Sequence, residues 1–180
     1  NTMYNPFSLE GKTIFITGAS SGIGRATAIE CSKMGATVVI SGRNTVRLQE
    51  TFDFLEGDAN HIQIEADLDD KSVIPYLVEK TPLLDGIVHC AGITKTLPFQ
   101  FINEEQLSAI MQVNFMAPTL ISQAFLKKKK LKNGASIVFI SSVAGVFCSA
   151  VAGSMYSASK GAINGIVKAM AVDLSGKGIR

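Results

Sequence analysis

Residues 12–24 read KTIFITGASSGIG, and this run constrains the fold more than any other part of the chain. KTIFIT is a short apolar segment, as expected of a strand buried on both faces of a parallel sheet. It leads into a turn whose glycines, Gly18, Gly22 and Gly24, are spaced G-x-x-x-G-x-G. Residues 22–34 then carry apolar side chains at helical intervals (Ile23, Ala26, Ile29, Cys31, Met34). A strand, a glycine-rich turn and a helix in that order open a βαβ unit.

The alternation then recurs. ATVVIS (36–41) reads as a second strand and 45–56 as a helix; HIQIEAD is a third strand, followed by a helix over 69–80 that Pro75 should kink or shorten. DGIVHCAG is a fourth strand with its turn, and a long helical stretch covers about 103–132 with Asn103 as N-cap. ASIVFIS (135–141) is a fifth strand, and 154–175 a last helix ending at Gly176. Strands separated by helices predict right-handed crossovers and an α/β fold, a doubly wound parallel sheet with helices on both faces. The 180 residues, 47% of them hydrophobic, suffice for one domain spanning 1–180. After GKGIR the alternation calls for a sixth strand, so the chain is expected to be cut short at its C-terminus.

Charge and cysteine content exclude several classes. A net charge of +2 gives no case for a nucleic-acid partner, and the lysine run 127–130 reads as the solvated end of a helix. Cys31, Cys90 and Cys148 are widely spaced, without a C-x-x-C or metal-ligand cluster, so they read as free thiols in a reducing compartment, and no metal is expected. No leader opens the chain and no apolar run is expected to cross a bilayer, so a cytoplasmic protein without a membrane partner is expected.

The loop TGASSGIG suits a phosphate group. Its glycines allow a tight turn and close backbone approach, while Ser20, Ser21, Gly22, Ile23 and Gly24 lead into a helix N-terminus with free N–H groups. It lacks the lysine of a nucleotide-hydrolysing loop, which leaves a dinucleotide as the expected ligand and an ordinary strand–helix turn as the competing reading. An acid that would bind a ribose 2′-hydroxyl is missing from the end of the second strand, which reads SGRN (41–44). Arg43 could instead face a 2′-phosphate, with Ser41 and Asn44 adding hydrogen bonds, so NADP(H) is expected over NAD(H). The alternative is an Arg43 that is merely exposed.

Tyr156 and Lys160 lie one helical turn apart in MYSASKGAING. A free phenol, with a pKa near 10, is a poor acid–base group at neutral pH; roughly 4 kcal/mol must favour the phenolate to bring it to about 7. An adjacent ammonium typically supplies about 1–3 pK units of that, and the positive ring of an oxidised cofactor could supply the remainder. Ser142, at the carboxyl end of the fifth strand, can donate to a substrate oxygen; Ser141 is its rival on the opposite face. Pro118 lacks the N–H that would reach the Asn114 carbonyl, so the helix should bend there and free that oxygen for a water. A packing kink explains the same residues equally well.

TGASSGIG, Asp67–Leu68, CAG (90–92), Asn114, ISS (140–142) and YSASK (156–160) occur in an order and rough spacing that resembles the short-chain dehydrogenase/reductase family, its 3-oxoacyl-carrier-protein reductases in particular. The resemblance covers about residues 10–180 and implies a three-layer Rossmann fold that moves a hydride between NAD(P)(H) and a small-molecule carbonyl or alcohol, an acyl thioester among the candidates. It implies Tyr156 as acid/base, Lys160 as its activator and ribose ligand, Ser142 as carbonyl-orienting donor and Asn114 as holder of a relay water. Asp67 and Leu68 would sit by the adenine, and Cys90, Ala91 and Gly92 along the cofactor. Homodimers or homotetramers that pair the two long helices are typical; Gly161 and Gly165 would allow close approach there or within the subunit.

There are departures. Cys90 stands where the family usually has Asn. Ser142 and Tyr156 are 14 positions apart, so an insertion relative to the family is expected in VFCSAVAGSM. The turn after strand six and the substrate-covering segment are not in the sequence. Two alternatives stand beside the NADPH-dependent reductase: an NAD-dependent alcohol, steroid or sugar dehydrogenase on the same fold, and a non-catalytic dinucleotide sensor.

Overall fold

The computed structural model describes residues 5–57 and 59–180. Part of the segment in which a leader was sought, residues 1–4, lies outside the described residues. Among the described residues five strands form one parallel sheet: β1 (Thr13–Thr17), β2 (Thr37–Gly42), β3 (Ile62–Glu65), β4 (Leu84–His89) and β5 (Leu131–Phe139), in the order β3-β2-β1-β4-β5. The chain leaves β1 toward one side of the sheet and returns from β3 to the other, so the crevice between β1 and β4 is the switch point at which such sheets bind ligands.

Alternation along each strand divides the core in two. Phe15 and Val39 face one cluster with Leu77 of α3 (Val73–Lys80) and Ile121 and Phe125 of α5 (Ala117–Lys127). Ile16, Val38 and Ile40 face the other, with Ala28 of α1 (Gly22–Lys33) and Leu48 of α2 (Thr45–Asp53). The rings of Phe15 and Phe125 meet edge to face at 5.4 Å. Truncating Phe125 to Ala would cost about 3–5 kcal/mol, because the surrounding strands cannot collapse into the void. α4 (Glu104–Met111) and α6 (Ser154–Asp173) pack together on the α5 side.

Several boundaries differ from expectation. The stretch read as one helix to residue 132 is α4, a π-helical turn at Gln112–Met116, and α5, which ends at Lys127; Leu131 already belongs to β5. The wide turn falls where Pro118 denies Asn114 a donor, and the extra residue absorbs the missing bond. Asn103 caps α4 by accepting from the Gln106 N–H at 3.0 Å. α3 starts at Val73 rather than 69, which leaves Pro75 in the first turn, where no N–H is required. α1 buries Gly24, Ala28 and Ser32 instead of the larger apolar residues, and Ile23 is exposed.

Two further expectations are corrected. Glu104–Lys127 forms a continuous helical run of 24 residues with a mean hydropathy of 1.2 over its most apolar window, long and apolar enough by those measures to cross a bilayer. Half of that window is buried inside the protein and it encloses the polar Gln112 and Asn114, as befits a helix central to a core. Nor is the lysine run simply solvated: Lys130 Nζ donates to the carbonyls of Val78 (2.6 Å), Glu79 (3.0 Å) and Thr81 (2.7 Å), closing the end of α3. At the far edge of the sheet the Arg180 N–H donates to the Ala135 carbonyl and the Ile137 N–H to the Arg180 carbonyl, the slanted pattern of a parallel neighbour on β5.

Candidate active site

A cleft of about 320 Å³ opens at the carboxyl ends of the strands. Its floor is the loop from β1 to α1. Gly18 has φ +66°, and a methyl there would lie 2.6 Å from the Ala91 N; a methyl on Gly24 would collide with the Gly18 carbonyl. These glycines let the loop lie flat between α1 and the segment after β4. Ser21, the N-cap of α1, makes no side-chain cap, so the helix opens with its first amides unclaimed by it. Ser20, Ser21, Gly22 and Ile23 line the cleft beside them. A narrow floor of bare amides at a positive helix end suits a pyrophosphate.

Beyond the loop the cleft has two ends. At one, Arg43 is exposed next to Ser41 and Gly42, with Asp67 and Leu68 across from them. Asn44 uses its Oδ1 to cap α2 by accepting from the Arg47 N–H at 2.9 Å, so only its amide nitrogen remains for a ligand. At the other end, Cys90, Ala91 and Gly92 form the wall under β4. Burial pushes the Cys90 thiol up, against the lowering pull of a Thr27 hydrogen bond and of Lys160. Cys90 is therefore a neutral, half-buried group, and all three cysteines are free. Gly42, Ala66, Ile93 and Val113 also line the cleft and were not singled out from the sequence. Gly42 and Ile93 directly follow motif positions, whereas Val113 arrives only through the packing of the π turn.

Two polar side chains, those of Lys160 and Asn114, come close to Gly92, and each links to the start of α6. Lys160 is 5% exposed; its Nζ donates to the Ile140 carbonyl at 2.7 Å and lies 5.6 Å from the centroid of the Tyr156 ring. Burial lowers the Lys160 pKa, opposed by its proximity to Cys90. Asn114 is buried and fully engaged: its Oδ1 accepts from the Ile93 N–H at 2.8 Å, and its Nδ2 donates to the Ile93 carbonyl at 2.9 Å and to Ser159 Oγ at 3.0 Å. Ser159 in turn donates to the Tyr156 carbonyl at 2.7 Å, so Asn114 brackets the segment after β4 to the first turn of α6. A methyl on Gly92 would sit 3.5 Å from Asn114 Oδ1 and 3.7 Å from Lys160 Nζ, which puts both groups at the wall of the cleft.

The two serines after β5 separate. Ser141 Oγ donates to Asn164 Oδ1 on α6 at 3.1 Å and is spent there. Ser142 Oγ only accepts, from the Ala144 N–H at 3.1 Å, and keeps its proton for another partner. Gly161 meets the Gly145 carbonyl within the subunit, while Gly165 faces open space. Of the run VFCSAVAGSM, residues 146–153 belong to the segment between β5 and α6, whereas Ser154 and Met155 already lie in α6. Among the described residues no cluster of metal-ligating side chains is present.

A family model described as short chain dehydrogenase matches residues 12–180. The chain is 34% identical over 177 residues to the 3-oxoacyl-[acyl-carrier-protein] reductase of Thermotoga maritima, covering 96% of this chain and 72% of that protein. It is 31% identical over 179 residues to the 3-ketodihydrosphingosine reductase of Mus musculus, covering 94% of this chain and 54% of that protein. A crystal structure of a dehydrogenase/reductase from Sinorhizobium meliloti 1021 superposes with a TM-score of 0.89 at 32% identity, over 96% of this chain and 70% of that one.

Proposed function

Because the chain belongs to the short-chain dehydrogenase/reductase family and is an NAD(P)-dependent oxidoreductase, we propose that it reduces a ketone to an alcohol with NADPH, using Ser142, Tyr156, Lys160 and Asn114. The observation that carries this reading is the buried Lys160 ammonium held beside the Tyr156 ring at the wall of a cleft fit for a dinucleotide. When bound there, the cofactor supplies a hydride to the carbonyl carbon. Tyr156 gives its phenolic proton to the carbonyl oxygen as that oxygen gains charge. Lys160 favours the resulting phenolate, and its burial strengthens the effect by excluding water. Ser142 donates its free proton to the same oxygen and fixes its direction. Asn114 holds the tyrosine's helix against the cleft wall, and a water on the proton's way out would be held at the widened turn beside it.

Arg43 supports NADPH, since its exposed guanidinium lies at the cleft end where a 2′-phosphate would project. An apolar rim supports an acyl or lipid chain on the substrate ketone, and the names of the two reductases above fit that class. Val143, Phe147 and Val151 stand exposed after β5, as do Phe99 and Phe101 after β4. The Leu97 N–H donates to the Ala152 carbonyl at 2.9 Å and joins the two segments. A homodimer or homotetramer pairing α5 and α6 fits the groove lined by Leu126, Ile166 and Met170, and three free thiols fit a reducing, cytoplasmic setting.

Tyr156→Phe tests the chemistry. It should lower kcat on an oxoacyl thioester by at least about 100-fold while NADPH affinity changes by no more than about twofold. Full activity in the variant would remove Tyr156 from the reaction and favour a dinucleotide sensor. Arg43→Ala should raise the KM for NADPH by about tenfold and leave that for NADH unchanged; an unaltered preference for NADPH would remove Arg43 from the choice of cofactor.

A further inference from the structure

We propose that Arg25 and Thr51, neither of which lines the cleft, are positioning residues that aim the amides of the β1–α1 loop at the pyrophosphate; this rests on reading the cleft as a dinucleotide site. Thr51, on α2, is completely buried, and its single hydroxyl proton has the Ala19 carbonyl at 2.8 Å as its nearer acceptor and the Arg47 carbonyl of its own helix at 3.1 Å as the other. The same oxygen accepts from Arg25 Nε at 2.9 Å. The two protons of Arg25 Nη2 are shared among the Ser20 carbonyl at 2.8 Å, Glu50 Oε2 at 2.9 Å and the more distant Arg47 carbonyl at 3.1 Å. Two successive loop carbonyls are thus claimed by groups behind the cleft.

Peptide geometry converts that into a statement about the ligand side. In a trans peptide the carbonyl of one residue and the N–H of the next point in opposite directions. Holding the Ala19 and Ser20 oxygens toward Thr51 and Arg25 therefore turns the N–H groups of Ser20 and Ser21 the other way, toward the cleft that both residues line. Among the described residues neither of these amides has a protein acceptor. Glycines permit this loop conformation but do not select it; a loop with Gly18 at φ +66° and Gly22 at φ +54° has many neighbours in conformational space. The Arg25–Thr51 bracket does the selecting. Glu50 neutralises the guanidinium at 2.9 Å, so Arg25 acts by geometry rather than by attracting phosphate.

Isothermal titration calorimetry with NADPH, ADP-ribose and adenosine 2′-phosphate separates the possibilities. Arg25→Ala and Thr51→Val should each weaken NADPH and ADP-ribose by about tenfold, since both carry the pyrophosphate, and leave adenosine 2′-phosphate within about twofold. Thr51→Ser, which keeps the hydroxyl, should restore binding; Arg25→Lys, which keeps the charge but loses the fork, should not. In turnover the loss should fall on the KM for the dinucleotide rather than on kcat. Unchanged ADP-ribose affinity in both variants would overturn the proposal. An equal loss for all three probes would also overturn it, because that marks general loosening of the domain. Failure of the unaltered protein to bind any of the three would instead refute the dinucleotide reading beneath it.

Discussion

Gly18 and Gly22 stand in one loop, both with positive φ, yet a side chain at each meets a different fate. At Gly18 a methyl would press into the Ala91 backbone at 2.6 Å, so the loop or the wall of the cleft must move. At Gly22 a methyl meets nothing within 4 Å, and only the left-handed backbone resists it. Gly18→Ala should cost about 2–4 kcal/mol and Gly22→Ala only about 1 kcal/mol, read from urea unfolding of each variant. Equal losses would mean that backbone strain alone governs the loop. Such residues were legible because their chemistry is local: a glycine spacing, or a tyrosine and lysine one turn apart. Thr51, Arg25 and His89 were not, because their partners are supplied by packing between elements rather than by neighbours in the chain. Ser141 and Ser142 lay between these cases; alternation sent them to opposite faces, and only Asn164 decided which one stayed free.

The order and type of the elements were readable, since each strand is a short apolar run and each helix has a periodic face, but helix edges and faces were not. α1 illustrates why. Its larger apolar residues suggested the buried side, while close approach to the loop demanded Gly24 and Ala28 there. The end of α5 shows the same limit. A lysine run at a helix terminus looks like a solvated dipole partner, yet the chain turns at Lys129 (φ 55°) and sends Lys130 back across to α3. α3 has only eight residues and leaves its last carbonyls without helical donors, so this ammonium is its C-terminal cap. Lys130→Met keeps the stem and removes the donor; it should destabilise by about 1–2 kcal/mol. Lys128→Met, on an exposed residue, should stay within about 0.5 kcal/mol. Parity between the two in urea would return the run to the solvated class.

The response of the whole molecule to acid should be set by one buried side chain at the end of β4. His89 ends β4 with its ring against that of Phe139, 4.8 Å away and tilted by 33°, and its Nε2 2.8 Å from Ser122 Oγ. Ser122 gives its own proton to the Pro118 carbonyl at 2.9 Å, so Nε2 is the donor and Nδ1 is bare, without a partner among the described residues. Burial pushes the His89 pKa from 6.5 down to about 3. Between those values the unfolded chain binds a proton that the folded chain refuses, so stability is full above the unfolded value and falls as the pH drops below it. From pH 7.5 to 5.0 that amounts to about 2 kcal/mol for one proton. Asp85 behaves differently. Burial opposes its ionisation, but hydrogen bonds from Lys132 and the Thr13 N–H, with the charges of Lys132 and Lys12, hold its carboxyl below 3.8. Its contribution is lost only as the pH falls through that lower folded value, outside the window. Urea midpoints at pH 7.5 and 5.0 should therefore fall for the unaltered protein and hardly at all for His89→Gln, whose side chain can still donate to Ser122 and cannot titrate. The same fall in both would assign the acid sensitivity to groups other than His89.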